Sequence, residues 1–473
     1  MRYNSEGYYL KAQHLQDLYE TSDVGIYSKT VKSIPMEKTN DNERGSCLED
    51  CISGLPDALL ISILSLLTMK EAGRTSLLSK RWRYMWTYIT ALNFDALHII
   101  YGLKLGDKRL DVERPLYLSW VNQVLKSYNG PSLDEFRVQF DLDETCRFDI
   151  NNWVNFAMEK RVKRLDLDVS NIEHHTRKEE DYIYHITNHP RGFTSCNSLT
   201  NLQLKYVNVT GQVLEYFLTN CPFLEQLTVH KSDGLVNLKV SELSLKLTHL
   251  AITDCYNVES IEISAMNLVS FKYYGPKISL PFKNVPPPVE MFVGGEYCDN
   301  LICNFLEFSS YLSLESLTLH LAYYDENSIE DVKFPVFNKL KQLELIISAG
   351  DNESLTVLVP LIEACPFLNK FVLQLQWFKT AVRRKLESVE ICPLQYLKVV
   401  EFVGWVGRPI DIELATYLMK SAVMLEKITF DPRKPYLIGT PWEFMETKGK
   451  RAARKRAEKL RKKLPPGAAF VIL

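Results

Sequence analysis

The side chains best suited to chemistry are few and scattered. The chain has nine histidines, and their densest cluster is His174-His175 beside Glu173. Neighbouring residues of an extended segment point to opposite sides. No further ligand type lies close in sequence, so a solvated loop fits this cluster better than a metal site. Ten cysteines are spread along the chain, and the closest pairs, Cys47/Cys51 and Cys298/Cys303, have no partner pair at zinc-site spacing. Reduced, buried thiols are the reading adopted. The sequence contains no HExxH, no GxxxxGK[ST], no GxGxxG and no GxSxG. Carboxylates are plentiful, but their positions nominate no acid/base pair. The expectation is a non-enzymatic protein with no metal and no cofactor. Asn208-Val-Thr210 and Asn352-Glu-Ser354 match the glycosylation pattern, which matters only for a secreted chain.

Composition narrows the class. The chain has 473 residues, 46% hydrophobic and 24% charged, which suits a protein with a large core. The longest apolar stretch, Leu55 to Leu67, holds nine aliphatic side chains and Asp57, and is too short for a membrane helix. The first twenty residues lack the apolar run of a signal peptide. An intracellular protein is expected, in nucleus, cytoplasm or both, with no membrane partner. Net charge is −2, yet residues 446–473 carry ten Lys/Arg and two Glu, leaving −10 for the remaining 445 residues. A basic tail on an acidic body is not the footprint of a dedicated nucleic-acid binder, whose cations line the folded surface.

The elements that must position any site fall into distinct segments. Residues 1–46 are polar and aperiodic, with one short helical pattern near Leu10–Tyr19, and read as a mobile extension. A compact helical unit follows over 51–90. Leu55-Pro56-Asp57 is a helix start, with Pro in the first turn and Asp at the positive dipole end. Thr68-Met-Lys-Glu71 is a capping box that starts a second helix. A third is expected from Ser79, carrying Lys80, Arg81, Trp82, Arg83 and Trp86. Such a unit has too small a core to cover its own apolar faces.

From Leu133 onward the pattern apolar-x-x-apolar-x-apolar recurs. It starts at Leu133, Val162, Leu199, Leu224, Leu247, Leu268, Val289, Leu314, Leu340, Leu368, Leu397 and Leu425. Most spacings fall in the range of leucine-rich repeats. The clearest unit is Leu247-Thr-His-Leu250-Ala-Ile252-Thr-Asp-Cys255. The weakest starts at Val289 and places Gly294 at its third apolar site. Each unit lays down one strand, successive strands pair in parallel, and no unit buries its apolar side alone. Return segments carry a second short pattern at Leu235–Val240 and Val258–Ile263, and a helical one at Gly211–Asn220. Cys-Pro-Phe-Leu occurs at Cys221–Leu224 and again at Cys365–Leu368, a sign of internal duplication. A helix is expected over Asp411–Leu425, with Ile428–Phe430 as the last strand. Lys448–Lys463 is read either as an import or anion-binding patch or as a solvated helix. Trp377 and Trp405 are read as core or rim, with a recognition surface as the alternative.

These residues carry a family likeness. Leu55-Pro56-Asp57, the apolar run to Leu67, Leu77-Leu78-Ser79-Lys80-Arg81-Trp82-Arg83 and Trp86 resemble a plant-type F-box. Leu92-Asn-Phe94-Asp95 looks like the first strand after that motif. The region from Cys365 through Leu397–Phe402 to Leu425-Glu-Lys-Ile428 is similar to the FBD region of plant F-box/leucine-rich-repeat proteins. An N-terminal extension and a basic tail depart from the pattern. The implied architecture is an α/β solenoid: a three-helix F-box over 47–95, a repeat horseshoe over 96–364 of about twelve irregular repeats in all, FBD-like repeats over 365–440, and a basic tail over 441–473.

The resemblance implies a substrate-recognition adaptor of a Skp–cullin–F-box ubiquitin ligase, with a Skp-type linker, cullin and RING subunits as partners and an unknown protein as substrate. A repeat scaffold outside any ligase, and a repeat receptor for a small molecule, are the alternatives. Carried onto this chain, the linker contacts are Leu55, Pro56, Leu59, Ile63, Leu66, Leu77, Leu78, Ser79, Arg81 and Trp82, with packing inside the unit as the competing role for Leu59, Leu78 and Trp82. Strand alternation nominates a concave substrate surface of Gln203, Lys205, Thr228, His230, Ala251, Thr253, Lys272, Tyr274, Thr318, His320, Glu344 and Gln374.

Overall fold

A computed structural model describes residues 52, 54–96, 99, 109–169, 184–186, 197–241, 246–278, 288–298, 313–321, 334–349, 355–377, 391–439 and 443–473. The helical pattern near Leu10, the cysteines Cys47, Cys51 and Cys303, and His174-His175 lie outside these residues. The chain divides into two compact units, 1–56 and 57–473.

The larger unit begins with helices α1 (Asp57–Leu64) and α2 (Met69–Arg74). The capping box forms as expected: Thr68 Oγ1 accepts from the Glu71 amide, and the Glu71 carboxylate accepts from the Thr68 amide at 3.0 Å. The third expected helix does not form as an α-helix. Residues 79–81 turn, and Trp82–Tyr88 is a 3₁₀ segment. Its run of aromatic and β-branched residues is poor α-helix material. The Ser79 hydroxyl accepts from the Trp82 amide at 3.4 Å, fixing the turn.

An alternation of strands and return segments follows. It runs β1 (Ala91–Asp95), α3 (Leu110–Ser127), β2 (Glu135–Gln139), α4 (Arg147–Glu159), β3 (Arg164–Asp168), β4 (Tyr184–Ile186), β5 (Asn201–Lys205), β6 (Val207–Val209) and α5 (Gly211–Asn220). It continues with β7 (Gln226–His230), β8 (Asn237–Val240), β9 (His249–Thr253), β10 (Ser260–Ile263), β11 (Ser270–Tyr274), β12 (Glu290–Gly294), β13 (Ser316–Leu321) and β14 (Gln342–Ala349). It closes with α6 (Val359–Glu363), β15 (Lys370–Trp377), β16 (Val399–Val403), α7 (Pro409–Ser421), β17 (Lys427–Asp431), α8 (Lys448–Glu458) and β18 (Ala469–Ile472).

Among the described residues, fourteen of these strands form one sheet in order of sequence, from β1 to β18. All its pairings are parallel, and β8/β10 and β4/β6 make two small sheets beside it. Twelve strands of the large sheet start one or two residues after the twelve expected pattern starts. This is an α/β repeat fold.

The register explains the spacing. Leu202, Leu227, Leu250, Phe271 and Met291 pair across neighbouring strands, as do Leu204, Val229, Ile252, Tyr273 and Val293. Every one of these is at most 2% exposed. Strand alternation puts both rows on one face, so each repeat buries its apolar pair only against its neighbours. The chain then turns back through a residue with positive φ directly after the strand: Tyr206, Lys231 and Asp254, and Gly295 and Gly404 at two later strands. Cys255 sits in one such turn, where its Sγ accepts from the Ser232 amide at 3.4 Å. Burial pushes its thiol up to about 12, consistent with an inert structural cysteine.

Two further expectations are corrected and one omission is filled. The weak repeat is out of phase by one residue: buried Pro288, Met291 and Val293 carry it, while Val289 is exposed and Gly294 faces the opposite side. The helices α3 and α4 had no counterpart in the sequence reading. They cover the first strands through Tyr117, stacked on Phe140 at 4.3 Å, and Trp153, whose Nε1 donates to Asn122 Oδ1 at 2.7 Å. Finally, the segment expected as a basic tail is folded over its described residues, 443–473, and Ile428–Phe430 is not in the last strand. The basic run forms α8 and a 3₁₀ turn, and β18 pairs with β17. Ala453, Ala457 and Leu460 are buried, and Trp405 Nε1 donates to the Ala453 carbonyl at 3.3 Å. Trp405 itself is 1% exposed, between Phe402 and Phe430, which settles it as core.

Candidate functional site: an apolar helical face and an open sheet face

Two surfaces stand out. The first lies on the helical unit. In α1, Leu60 and Leu64 are fully buried, while Leu59 and Ile63 on the adjoining helix face are 51% and 40% exposed. Beyond α1, Leu66, Leu77 and Leu78 are 85%, 89% and 67% exposed. Met69, Ala72 and Trp82 complete the inward set. The even split expected for Leu59, Leu78 and Trp82 therefore resolves: the two leucines face outward and Trp82 packs inside. Trp82 is withdrawn as a direct contact, because its ring is committed to the small core.

Asp57 and Arg81 tie the start of α1 to the later turn, with Arg81 Nε and Nη2 both on Asp57 Oδ1 at 3.1 and 2.5 Å. That pair is well exposed, so it orients the turn more than it stabilises the chain. Ser79 is exposed but its hydroxyl is engaged by the Trp82 amide. Leu55 is half-buried and Pro56 exposed in the N-terminal unit. Leu67, 39% exposed, joins the apolar face without having been nominated. Scattered exposed leucines are ordinary, but three at two-thirds exposure or more within thirteen residues of sequence are a local concentration of exposed apolar side chains.

The second surface is the open face of the sheet. The nominated positions fall into two straight rows. One runs Gln203, Thr228, Ala251, Lys272, Phe292, Thr318, Glu344; the other runs Lys205, His230, Thr253, Tyr274, Gly294, His320, Ile346, Gln374. Most of these side chains are half-buried, because parallel neighbours crowd one another. Thr253 is a correction: at 9% exposure it is buried, held by His230 Nδ1 at 2.9 Å. His230 Nδ1 also lies 3.2 Å from Asp254 Oδ2. Burial alone raises the Asp254 carboxyl, but His230, Tyr256 and Lys231 together hold it below its ordinary value.

At the centre, Lys272 Nζ sits 4.3 Å over the ring of Phe292. Desolvation lowers its pKa against the opposing pull of Asp254 and Glu344. Tyr274 and His320 meet at 5.1 Å across the intervening strand. They can do so because Gly294 lies between them: a Cβ there would collide with the Tyr274 ring and come within 2.9 Å of His320 Cβ. Burial pulls the His320 imidazole down to about 4, so it is neutral at physiological pH. Glu344 accepts from Thr318 at 3.3 Å and from Gln374 at 2.5 Å.

The result is a polar and aromatic shelf with its hydrogen-bonding groups largely engaged with one another. Phe292, Gly294 and Asp254 belong to it and were missed. The phase of Met291 and Val293 was the available signal for the first two. Among the described residues, no group of three His, Cys, Asp or Glu side chains comes together to hold a metal. No helix among them is long and apolar enough to cross a membrane.

Known proteins resemble the chain over both regions. The family model described as "At1g61320/AtMIF1, LRR domain" matches residues 124–457, and the F-box domain model matches residues 52–89. The chain is 26% identical over 419 residues to the FBD-associated F-box protein At5g38590 of Arabidopsis thaliana, covering 80% of this chain and 93% of the relative. It is 27% identical over 413 residues to the F-box/FBD/LRR-repeat protein At4g26340 of the same plant, covering 81% and 93%. With F-box/LRR-repeat protein 13, also from Arabidopsis thaliana, identity is 25% over 442 residues, covering 82% and 90%. The F-box match covers the helical unit and the LRR match covers most of the sheet, and the chain belongs to the F-box proteins with a leucine-rich-repeat domain.

Proposed function

We propose that this protein is a substrate-recognition adaptor of a Skp–cullin–F-box ubiquitin ligase. The helical unit docks on a Skp-type linker, which connects it to cullin and RING subunits, and the open sheet face captures the protein to be ubiquitinated. The adaptor performs no chemistry of its own. Its contribution is to hold substrate lysines at high effective concentration near the ubiquitin-loaded enzyme.

The observation that carries this reading is the division of the helical unit into two leucine sets. Leu60 and Leu64 close its core, while Leu59, Ile63, Leu66, Leu77 and Leu78 lie outside it and gain only by being covered. A unit that served only as a terminal cap would keep its outer face polar. Aromatic and aliphatic anchors at the centre of a docking face dominate its affinity. On the sheet, Lys272, Phe292, Tyr274 and His320 form the section where apolar rings, a cation and a neutral imidazole converge.

The test is co-purification of the full chain with a recombinant Skp-type linker, comparing wild type with Leu66→Ala/Leu77→Ala. Loss of the linker with an unchanged melting temperature supports the assignment. Undiminished co-purification by the double variant removes it.

A further inference from the structure

The basic run at the end of the chain is not needed for either surface above. Its placement in the fold removes the ground on which the sequence spoke against a polyanion partner, because the cations now line a folded surface. Helix α8 turns Ala453 and Ala457 inward and Leu460 follows in the 3₁₀ turn, so the element is locked to the last repeats. Its outer side carries Lys448, Arg451, Lys455, Lys459 and Lys462, all exposed. Their spacings of three and four residues place them on one stripe. At about 1.5 Å per helical residue and about 2 Å in the 3₁₀ turn, that stripe is roughly 22 Å long.

The nearby acids are already used. Glu446 binds Arg454 at 2.7 Å and lies 3.7 Å from Arg451, Glu458 binds Arg461 at 2.6 Å, and Glu443 pairs with Arg433. No ion pair or hydrogen bond within the described residues engages Lys448, Lys455, Lys459 or Lys462. Lys455, Lys459, Arg461 and Lys462, with Glu458, line an open depression of about 400 Å³. Four residues ahead of Lys448 in sequence, Phe444 is 79% exposed, with the Arg433 guanidinium 6.0 Å over its ring.

We propose that this stripe binds a single strand of nucleic acid, with the lysines along the phosphates and Phe444 as a stacking platform. A membrane surface fits less well. A basic helix at a bilayer inserts its apolar face, and here that face is spent on the protein core. An acidic polypeptide must match the cation spacing with its own side chains. A phosphodiester strand, carrying one charge per residue at close spacing, meets a straight row of cations in any register. An exposed aromatic ring a few residues ahead of a basic track in sequence offers sequence-tolerant stacking.

The experiment is fluorescence anisotropy of a labelled 12-nucleotide thymidine oligomer with the full chain. The variant Lys448→Gln/Lys455→Gln/Lys459→Gln/Lys462→Gln keeps helix-forming residues at exposed sites, and its fold is checked by its melting temperature. Saturable binding is expected, with log K falling against log salt at a slope of about −3 for four lysines. The quadruple variant should lose binding more than tenfold, and Phe444→Ala should lose about tenfold. No saturable binding at low salt, or equal binding by the quadruple variant, overturns the proposal. So does stronger binding to phosphatidylserine vesicles that the oligomer cannot displace, or displacement of the oligomer by an equal concentration of polyglutamate.

Discussion

The exposed leucines of the helical unit give the sharpest test, because binding and stability should separate cleanly there. Leu77 is 89% exposed and Leu66 is 85% exposed, whereas Leu60 and Leu64 are at 0%. Truncating Leu to Ala removes about three methylene equivalents, each worth about 0.8 kcal/mol when moved out of water. Scaled by the exposed fraction, covering Leu77 contributes about 2 kcal/mol to docking, or roughly thirtyfold in Kd. The same substitution should shift the stability of the free chain by less than about 0.5 kcal/mol, since the side chain touches little. Leu64→Ala must do the reverse, costing about 2–5 kcal/mol of stability through lost burial and a cavity. The assay is titration calorimetry against a purified Skp-type linker, paired with urea denaturation of each variant alone. Wild-type Kd for both Leu66→Ala and Leu77→Ala refutes the docking face. A large stability loss for either refutes the division into inward and outward leucines.

Other parts of the molecule yield independent predictions. Trp405→Ala should destabilise the chain by about 3–5 kcal/mol in denaturant titration, because the ring joins Phe402 and Phe430 to α8. Arg114 holds Asp141 at 2.8 Å and Asp143 at 2.6 Å in a nearly dry site; Arg114→Met should cost about 3–5 kcal/mol by removing the guanidinium that pairs with both carboxylates there. Asp411 is fully buried at the start of α7, where its Oδ2 accepts from the Gly407 and Arg408 amides at 2.8 and 3.1 Å. Burial nonetheless raises its carboxyl to about 6. The folded state thus binds the proton more tightly than the unfolded state, and the Asp411 contribution is present below about pH 4 and lost as pH rises through 6. Asp411→Asn should flatten that part of the stability profile; an unchanged difference between pH 4 and 7 would count against the buried-acid reading. Gly294→Ala should separate Tyr274 from His320 and weaken capture at the open face while leaving linker binding intact, as read by substrate and linker pull-downs from the same sample.

Much of the architecture was legible because a parallel repeat sheet is specified locally. Apolar residues at fixed offsets are enough to place a strand, and twelve such patterns preceded twelve strands. Where the pattern was ambiguous, as at Val289 against Pro288, only the register of β11, β12 and β13 fixed the phase. The capping box at Thr68 was equally local, since its two hydrogen bonds join residues three apart.

What the chain's order alone determined was the class of fold, from an apolar pattern recurring at repeat spacing, and the candidate rows on the sheet, from strand alternation, beside the resemblance of Leu55–Trp86 to an F-box. Three things were decided only by tertiary structure. Which leucines of the helical unit face inward depends on contacts among α1, α2 and the 3₁₀ segment of Trp82–Tyr88, not on spacing within any one of them. The shelf of Tyr274, Gly294 and His320 depends on three strands about twenty residues apart coming side by side. The fate of the basic run depends on β18, a four-residue strand too short to stand out in sequence, which joins the sheet because β17 offers it an edge. Short elements gain their stability from what they pack against, and that information lies elsewhere in the chain.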